Sequence, residues 1–176
     1  MRFTETAVAG AFVVDLEPRG DERGFFARVW SRHAFEARGL KADFVEFNDS
    51  FSAHRGTLRG LHYQAGEAAE VKLARCIRGS VFDVAVDLRP GSPTYRRWTG
   101  VTLSADNRRM LYVPEGCAHG YLTLEDGAEV VYPVTHVYTP EAEGGIRWND
   151  PAFGIEWPIA PEVISPKDQA WPDFPA

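Results

Sequence analysis

Two histidines lie in sequence contexts that suit chemistry rather than packing alone. His62 lies in the stretch RGTLRGLHYQ, six positions after Gly56, and Gln64 follows it two positions later. Alternate residues of a strand project from one face, so His62 and Gln64 would share a face. His119 closes the segment PEGCAH. Since imidazole both binds metal ions and titrates near neutral pH, these histidines predict either a metal site or a proton-transfer site.

Both segments resemble the two metal-binding motifs of cupins, which are small β-barrel proteins. PEGCAH matches the second motif, P-x-G-x-x-H, in full, whereas in the first motif, G-x5-H-x-H, Gln64 takes the place of a histidine. The metal-binding glutamate of the first motif, seven residues before a glycine, is replaced by Lys72 before Gly79. A protonated lysine repels a divalent cation at close range. We therefore expect no metal, and a pocket that binds an anion instead.

The elements that must position these residues are predicted to be strands. Apolar and β-branched runs recur along the chain between glycine, proline and asparagine, as in a β-sandwich or barrel. The predicted strands are FVVDL, VKLARCIR, SVFDVAVDL, TGVTLS, MLYVP, GYLTL and EVVYPVTHVY. In SVFDVAVDL, strict alternation puts Asp83 and Asp87 on the face opposite the large apolar side chains. Pro133 would confine the last of these strands to a sheet edge or a bulge.

A short N-terminal helix and a C-terminal tail complete the predicted fold. The segment SRHAFEARG suits a helix with Ser31 as its N-cap and Gly39 as its stop. From Pro140 onward tryptophan and proline are frequent, which indicates an ordered, irregular tail around the barrel. The predicted fold class is all-β, a cupin jelly-roll barrel. Residues 1–176 are expected to form one domain, because a chain of this length can bury one full core.

Composition limits the partners and the compartment. The net charge of -6 disfavours nucleic acid, whose binding depends on neutralising phosphates. The sequence has no basic-then-apolar leader and no apolar run near membrane-spanning length, so we expect no membrane contact. Cys76 and Cys117 cannot make a disulfide framework and form no CxxC motif, which fits the reducing cytoplasm.

The motifs together resemble one family across nearly the whole chain. The similarity is carried, in order, by DERGFFARVW, LRGLHYQ, VKLARCIRGSVFDVAVDLRPGSPTY, LSADNRRMLYVPEGCAHGYL, VVYPVTHVYTPEAEGGIRWNDP and ISPKD. These segments resemble the dTDP-4-dehydrorhamnose 3,5-epimerase family, which belongs to the cupin superfamily and serves deoxysugar and polysaccharide biosynthesis. The resemblance implies a homodimeric jelly roll. It also implies inversion of C3 and C5 of a 4-keto-6-deoxyhexose carried by a nucleoside diphosphate, without a cofactor.

The resemblance further implies catalytic roles for four residues. Protons on C3 and C5 are acidic because each carbon is α to the C4 ketone, so the reaction needs a base, an enolate stabiliser and an acid. His62 would be the base, and Asp168 the carboxylate that orients it. Lys72 would hold the enolate oxygen, and Tyr132 would return a proton from the other face. Outside the family pattern, His62 and Tyr132 are typical core residues and Asp168 is a typical solvated carboxylate.

Substrate binding is implied for a second set of residues. Arg23 and Arg59 suit the diphosphate, because a planar guanidinium matches phosphate oxygens, although surface ion pairs would explain both arginines as well. The other residues expected along the sugar-nucleotide pocket are Asn48, His119, Tyr138, Glu143 and Lys167. An alternative for His119 is a buried remnant of the former metal site.

Three positions depart from the family pattern near the nucleotide. Arg28 replaces the usual glutamate after RGFF, and Glu46 and Phe47 replace the first two residues of a QDN triplet. When hydrogen-bond donors replace acceptors in a pocket built for one nucleotide base, polar groups stay unpaired against a different base. We therefore predict that Arg28, Glu46 and Phe47 contact the substrate and alter thymine recognition. The alternative is that they form a tolerant rim.

Other functions stay open on sequence alone. A single-site 3- or 5-epimerase with a different nucleotide would have nearly the same residues. A metal-dependent cupin enzyme is disfavoured by Gln64 and Lys72. A sugar-binding module without activity would be favoured only if the catalytic set were broken, and that set is intact.

Overall fold

The computed structural model describes residues 1–175, and the regular secondary structure within them is mostly short strands. In chain order the strands are β1 (Arg2–Glu5), β2 (Phe12–Asp15), β3 (Arg19–Asp21), β4 (Gly24–Phe26), β5 (Glu46–Ser52), β6 (Thr57–Gln64), β7 (Lys72–Arg78), β8 (Ser80–Asp87), β9 (Trp98–Ser104), β10 (Met110–Val113), β11 (Cys117–Thr123), β12 (Ala128–Val134), β13 (Glu143–Gly145) and β14 (Val163–Ile164). The helices are α1 (Arg32–Glu36) and α2 (Pro166–Gln169), and 3-10 turns cover Gly66–Ala68 and Pro140–Ala142. No helix within residues 1–175 is long and apolar enough to cross a membrane.

Two sheets form the barrel. The first has the order β1-β2-β10-β7-β12-β5, and the second has the order β13-β6-β11-β8-β9 with β14 added in parallel to β6. The pair β3 and β4 forms a separate hairpin. Most neighbouring strands are distant in sequence, as in a jelly roll. All seven strands predicted from the sequence are present, and the predicted all-β cupin jelly-roll fold is confirmed.

The space between the sheets holds both the main core and buried carboxylates. Val81 and Ala85 of β8 belong to the core between the sheets. Asp83 and Asp87 lie on the same face of that strand by alternation, and both are fully buried. The predicted alternation of β8 is present, but its polar face is turned toward the barrel interior. Polar side chains that face the interior of a small barrel can form a ligand-binding site there.

The opposite face of β8 is covered by the C-terminal tail. Val84 and Val86 are buried in a cluster with Phe153, and Trp148 and Trp157 pack against it. Burial of side chains of this kind stabilises the fold by roughly 1.5–3 kcal/mol each. The tail is thus ordered and irregular, as predicted, and it brings α2 against β6.

Helix α1 is shorter than predicted and is held mainly by packing. It ends at Glu36, and the Ser31 side chain at its N-cap makes no capping hydrogen bond. Gly39, just beyond the helix, has φ +68°, a conformation that glycine adopts without strain. Phe35 is fully buried against Tyr112 on the outer face of the first sheet. Ser31 thus occupies the predicted N-cap position, but its side chain does not cap the helix.

The position of Pro133 corrects another prediction. Its strand, β12, lies between β7 and β5, and the register shift against β7 falls between Glu129 and Val130, so Pro133 lies neither in an edge strand nor at that bulge. The ladder between β12 and β7 pairs Val131 and Val134 but neither of the two residues between them. Proline lacks an N–H, and at this gap no ladder hydrogen bond to β7 is lost. Tyr132 lies in the same gap.

Candidate active site

His62 is held by a carboxylate from the far end of the chain. Its Nε2 lies 2.6 Å from Oδ1 of Asp168, which is carried by α2, whereas His62 is on β6. Oδ2 accepts the backbone N–H of Gly60 at 3.2 Å, and the N–H of Asp168 donates to Oγ of Ser165, the N-cap of α2. An ionised carboxylate can only accept hydrogen bonds, so Nε2 carries a proton and Nδ1 keeps the lone pair of a base.

Asp168 is buried, yet it is held in its ionised form. Burial raises the pKa of the Asp168 carboxyl. The hydrogen bond and charge of His62, together with the donors of Gly60 and Ser165, outweigh burial and set that pKa below its ordinary value. Such a carboxylate fixes the imidazole tautomer and stabilises the imidazolium that forms when the base accepts a proton.

The surroundings of His62 are closely packed. A Cβ on Gly60 would lie 2.7 Å from Cα of Gly120, so β6 and β11 meet here without room for side chains. The ring of Trp171 lies 6.3 Å from that of His62, and it covers Gly145 so closely that a Cβ there would lie 2.1 Å from the indole. Trp171 is not among the site residues predicted from the sequence. The signal for Trp171 was its position one turn after Asp168.

Two cavities meet at the predicted catalytic residues. They have volumes of about 460 and 360 Å³, and His62, Lys72 and Tyr132 line both. His62 comes from the second sheet, whereas Lys72 and Tyr132 come from β7 and β12 of the first, so the base and the other two groups approach from opposite sheets. The larger cavity is also lined by Arg59, His119, Lys167 and Asp168. The smaller is also lined by Glu46, Asn48, Tyr138 and Glu143.

Lys72 is a largely buried cation at this junction. Only 11% of its side chain is exposed, and its Nζ lies 3.2 Å from Oε1 of Glu70, whose side chain is equally buried at 10%. Sequence reasoning did not select Glu70. The signal was its position two residues before Lys72, which suggests a shared face in an extended segment. A buried ammonium directed at the cavity can stabilise an anion that develops there.

Tyr132 is suited to donate a proton. The residue lines both cavities, and its hydroxyl makes no hydrogen bond with residues 1–175. Burial raises the pKa of the Tyr132 phenol, and the charge of Glu70 contributes to the rise. The phenol therefore stays protonated at neutral pH. It can give its proton to a carbanion on the side of the cavity opposite His62.

Polar groups at the rim form a connected set. Glu143 accepts hydrogen bonds from Oη of Tyr138 at 2.9 Å and from Nζ of Lys167 at 2.6 Å. Burial raises the pKa of the Glu143 carboxyl, but Lys167 and Tyr138 outweigh it and lower the value overall. Arg59 is anchored by Nε to Oγ of Ser52 and by Nη2 to a backbone carbonyl, which fixes its guanidinium beside the larger cavity.

Three of the predicted substrate-binding residues lie elsewhere. Arg23 is 84% exposed and pairs with Asp21 on the β3–β4 hairpin. Neither Arg23 nor Arg28 lines either of these two cavities, and Arg28 lines a separate cavity beside the hairpin. Phe47 is 71% exposed, because alternation along β5 turns it outward while Glu46 and Asn48 face the smaller cavity. Within its own subunit, Phe47 therefore does not line the smaller cavity, and its predicted contact with the substrate stays a prediction.

Gln64 shows what replaced the second histidine of the metal motif. It is buried, its Nε2 donates to the carbonyls of Ala68 and Val137, and its Oε1 accepts the N–H of Thr139 at 2.6 Å. The amide therefore fixes the backbone on both sides of Tyr138. Within residues 1–175 no group of three or more His, Cys, Asp and Glu side chains is arranged to hold a metal ion.

Comparison with known proteins identifies the family. The sequence profile described as dTDP-4-dehydrorhamnose 3,5-epimerase matches residues 5–176. A protein of Salmonella typhimurium with that name is 50% identical over 171 residues, which cover 96% of this chain and 92% of that protein.

Solved structures of similar enzymes superpose closely on this chain. The crystal structure of dTDP-4-dehydrorhamnose 3,5-epimerase from Elizabethkingia anophelis has a TM-score of 0.96 at 39% identity and covers 99% of this chain and 96% of its own. The Legionella pneumophila dTDP-6-deoxy-D-glucose-3,5-epimerase, in complex with dTDP-4-keto-L-rhamnose, has a TM-score of 0.89 at 38% identity and covers 99% of both chains. The family predicted from the motifs is confirmed: this chain belongs to the dTDP-4-dehydrorhamnose 3,5-epimerase family of isomerases.

Proposed function

We propose that this chain inverts both C3 and C5 of a thymidine-diphosphate 4-keto-6-deoxyhexose, and that it does so without a metal ion. The observation that carries the proposal is the placement of an oriented base on one sheet and of a buried acid and a cation on the other. A sugar ring at the junction of the two cavities is exposed to all three groups. The names of the relatives support the nucleotide and the sugar.

The proposed reaction proceeds in two equivalent halves. Nδ1 of His62 removes the proton from a carbon α to the C4 ketone, and the ketone oxygen takes up negative charge as the enolate forms. The ammonium of Lys72 stabilises that oxygen. Tyr132 then gives its proton to the same carbon from the opposite face, which inverts it. The imidazolium, held by Asp168, and the tyrosinate return to their starting states by proton exchange with water before the second carbon reacts.

Product identification tests this function. The purified protein is incubated with the thymidine-diphosphate 4-keto-6-deoxyglucose, and proton couplings around the ring are read by NMR. We expect the product to be inverted at C3 and C5. A product inverted at one carbon would restrict the function to a single-site epimerase, and an unchanged substrate would refute the proposal.

Replacement of Asp168 by asparagine should weaken catalysis without abolishing it. The base remains, but it loses the anion that fixes its tautomer and stabilises its cation. A general base contributes about 10²–10⁴ in rate, and we expect kcat to fall by roughly 10- to 100-fold, less than on removal of the base. Initial rates by NMR provide the measurement. Asp173→Asn, in the exposed tail, is the matched control. An unchanged kcat would remove Asp168 from the mechanism.

The nucleotide preference is expected to follow that of the relatives. Phe47 faces outward, and Arg28 does not line either cavity. Of the three residues predicted to alter thymine recognition, only Glu46 therefore lines the cavity of its own subunit. We therefore propose thymidine as the base. Calorimetric titration with the diphosphates of thymidine, uridine, cytidine and guanosine should show tightest binding for thymidine. A preference for another base would instead support the altered pocket.

We propose a homodimer in which the hairpin of one subunit completes the site of the other. The outward face of the edge strand β5 exposes Phe47 and Phe51, and the hairpin exposes Phe25 and Phe26. Exposed apolar groups on a sheet edge are commonly covered by a partner. Arg23 lines neither cavity of its own subunit, so it can bind the diphosphate only in the cavity of the partner subunit. A monomer in equilibrium sedimentation at micromolar concentration would contradict this assembly.

Mixing two inactive variants tests the shared site. In a mixed dimer of His62→Ala and Arg23→Ala subunits, one site combines an intact His62 with the intact Arg23 of the other subunit. We expect activity to appear on mixing and refolding together. Absence of recovery, with mixed dimers present by mass spectrometry, would place Arg23 in its own subunit's site or outside catalysis.

We also propose a cytoplasmic location for the protein. Cys76 and Cys117 are free thiols, which suits a reducing compartment.

A further inference from the structure

A second pair of carboxylate and imidazole lies beside the dyad of His62. Asp83 on β8 is fully buried, and its Oδ1 lies 2.8 Å from Nε2 of His119 on β11, which is 6% exposed. The other carboxylate oxygen, Oδ2, is buried without a hydrogen-bond partner among residues 1–175. A buried carboxylate with an unpaired oxygen costs stability, so its presence requires an explanation.

The strand register places the two pairs side by side. Antiparallel pairing of β6 and β11 sets His119 directly opposite His62. His119 lines the larger cavity, and its ring lies 6.5 Å from the ring of Tyr132. A hexose held between His62 and Tyr132 is therefore next to His119. Tyr138 and Lys167, which Glu143 joins at the rim, belong to other segments of the chain.

The carboxylate determines which nitrogen of His119 faces a ligand. An ionised Asp83 accepts and cannot donate, so Nε2 of His119 must carry the proton in their hydrogen bond. In the neutral ring, Nδ1 then holds a lone pair and can only accept a hydrogen bond. No hydrogen bond within residues 1–175 uses Nδ1 of His119. A hydroxyl group can donate to this nitrogen, whereas a ketone cannot.

We propose that Asp83 is a positioning residue that locks His119 in the Nε2–H tautomer, so that Nδ1 accepts a hydrogen bond from a hexose hydroxyl of the substrate. This inference rests on the proposed function, which places the hexose in this cavity. It explains why a carboxylate is retained in the barrel core. It also assigns His119 an active role in place of a remnant of a metal site. The dyad of His62 then moves a proton, whereas the dyad of His119 orients the sugar ring.

The first test replaces Asp83 by asparagine. The asparagine amide can donate to Nε2, which would favour the opposite tautomer and turn Nδ1 from an acceptor into a donor. Loss of one hydrogen bond to the hexose should raise KM for the sugar nucleotide on the order of tenfold. The Kd for thymidine diphosphate, which lacks the hexose, should stay within about twofold of wild type. Equal weakening for both ligands, or an unchanged KM, would overturn the inference.

The second test applies even if Asp83→Asn fails to fold. Nitrogen-15 NMR of the wild-type imidazoles, with His119→Gln used to assign the signals, reports the tautomer directly at neutral pH. We expect Nε2 of His119 to be protonated and Nδ1 bare. A ring protonated at Nδ1 would refute the inference. These two failures can be told apart. If the proposed function is wrong, the wild-type protein converts no substrate, whichever tautomer His119 adopts.

Discussion

Replacement of His62 by alanine is expected to abolish hydrogen exchange at both C3 and C5 while the protein stays folded. One base serves both carbons, because each lies α to the same ketone and the ring can turn between the two steps. General bases contribute about 10²–10⁴ in rate, so we expect a loss of at least 10²-fold at each carbon. Deuterium incorporation in deuterated water, followed by proton NMR, measures both losses at once.

His54→Ala is the matched control for this variant. His54 is exposed and lies outside both cavities lined by His62, so its removal should leave exchange at the wild-type rate. The circular dichroism of both variants should match that of the wild type, because His62 is partly exposed and its loss opens no large core cavity. Exchange at near wild-type rates in His62→Ala would show that another group is the base.

Replacement of Tyr132 by phenylalanine should separate proton removal from inversion. The base and Lys72 remain, so the enolate still forms and deuterium still enters from the side of His62. Delivery to the opposite face is lost, and net inversion should fall by roughly 10²–10⁴. Exchange should fall far less, by about tenfold or less. Both quantities are obtained from the same NMR time course.

Tyr95→Phe provides the comparison for Tyr132→Phe. Tyr95 is exposed and lines neither cavity within residues 1–175, so the loss of its hydroxyl should change neither rate. Equal loss of exchange and inversion in Tyr132→Phe would contradict its role as the acid. That outcome would indicate that the phenol acts in enolate formation.

Much of the fold was predictable because it depends on local pattern. The alternation in β8 correctly separated Asp83 from the large apolar side chains, and the motif spacing placed His62 and His119 in one barrel. Whether a polar face meets water or a cavity is decided by the strands and tail that cover it. For this reason the sequence predicted the face of Asp83 but not its pairing with His119.

Contacts between distant segments explain what the sequence could not predict. Asp168 contacts His62 although the two residues are 106 positions apart in the sequence. Without the family pattern, the residues around Asp168 give no indication of this contact. Phe47 is predicted to contact the substrate together with Glu46, but one step along β5 reverses the direction of a side chain, and Phe47 faces outward. Pro133 is tolerated in a central strand because the ladder to β7 is open there. Each outcome depends on register, which single-sequence patterns do not determine.

The proposed mechanism requires His62 and Tyr132 to exchange protons with both carbons that flank the ketone. Incubation of the wild-type protein with the thymidine-diphosphate 4-keto-6-deoxyhexose in deuterated water measures this exchange. We expect one solvent deuterium to enter at C3 and one at C5, each with inversion. Inversion at either carbon without deuterium from solvent would contradict the mechanism, because an enolate protonated by an exchangeable phenol must carry the solvent isotope.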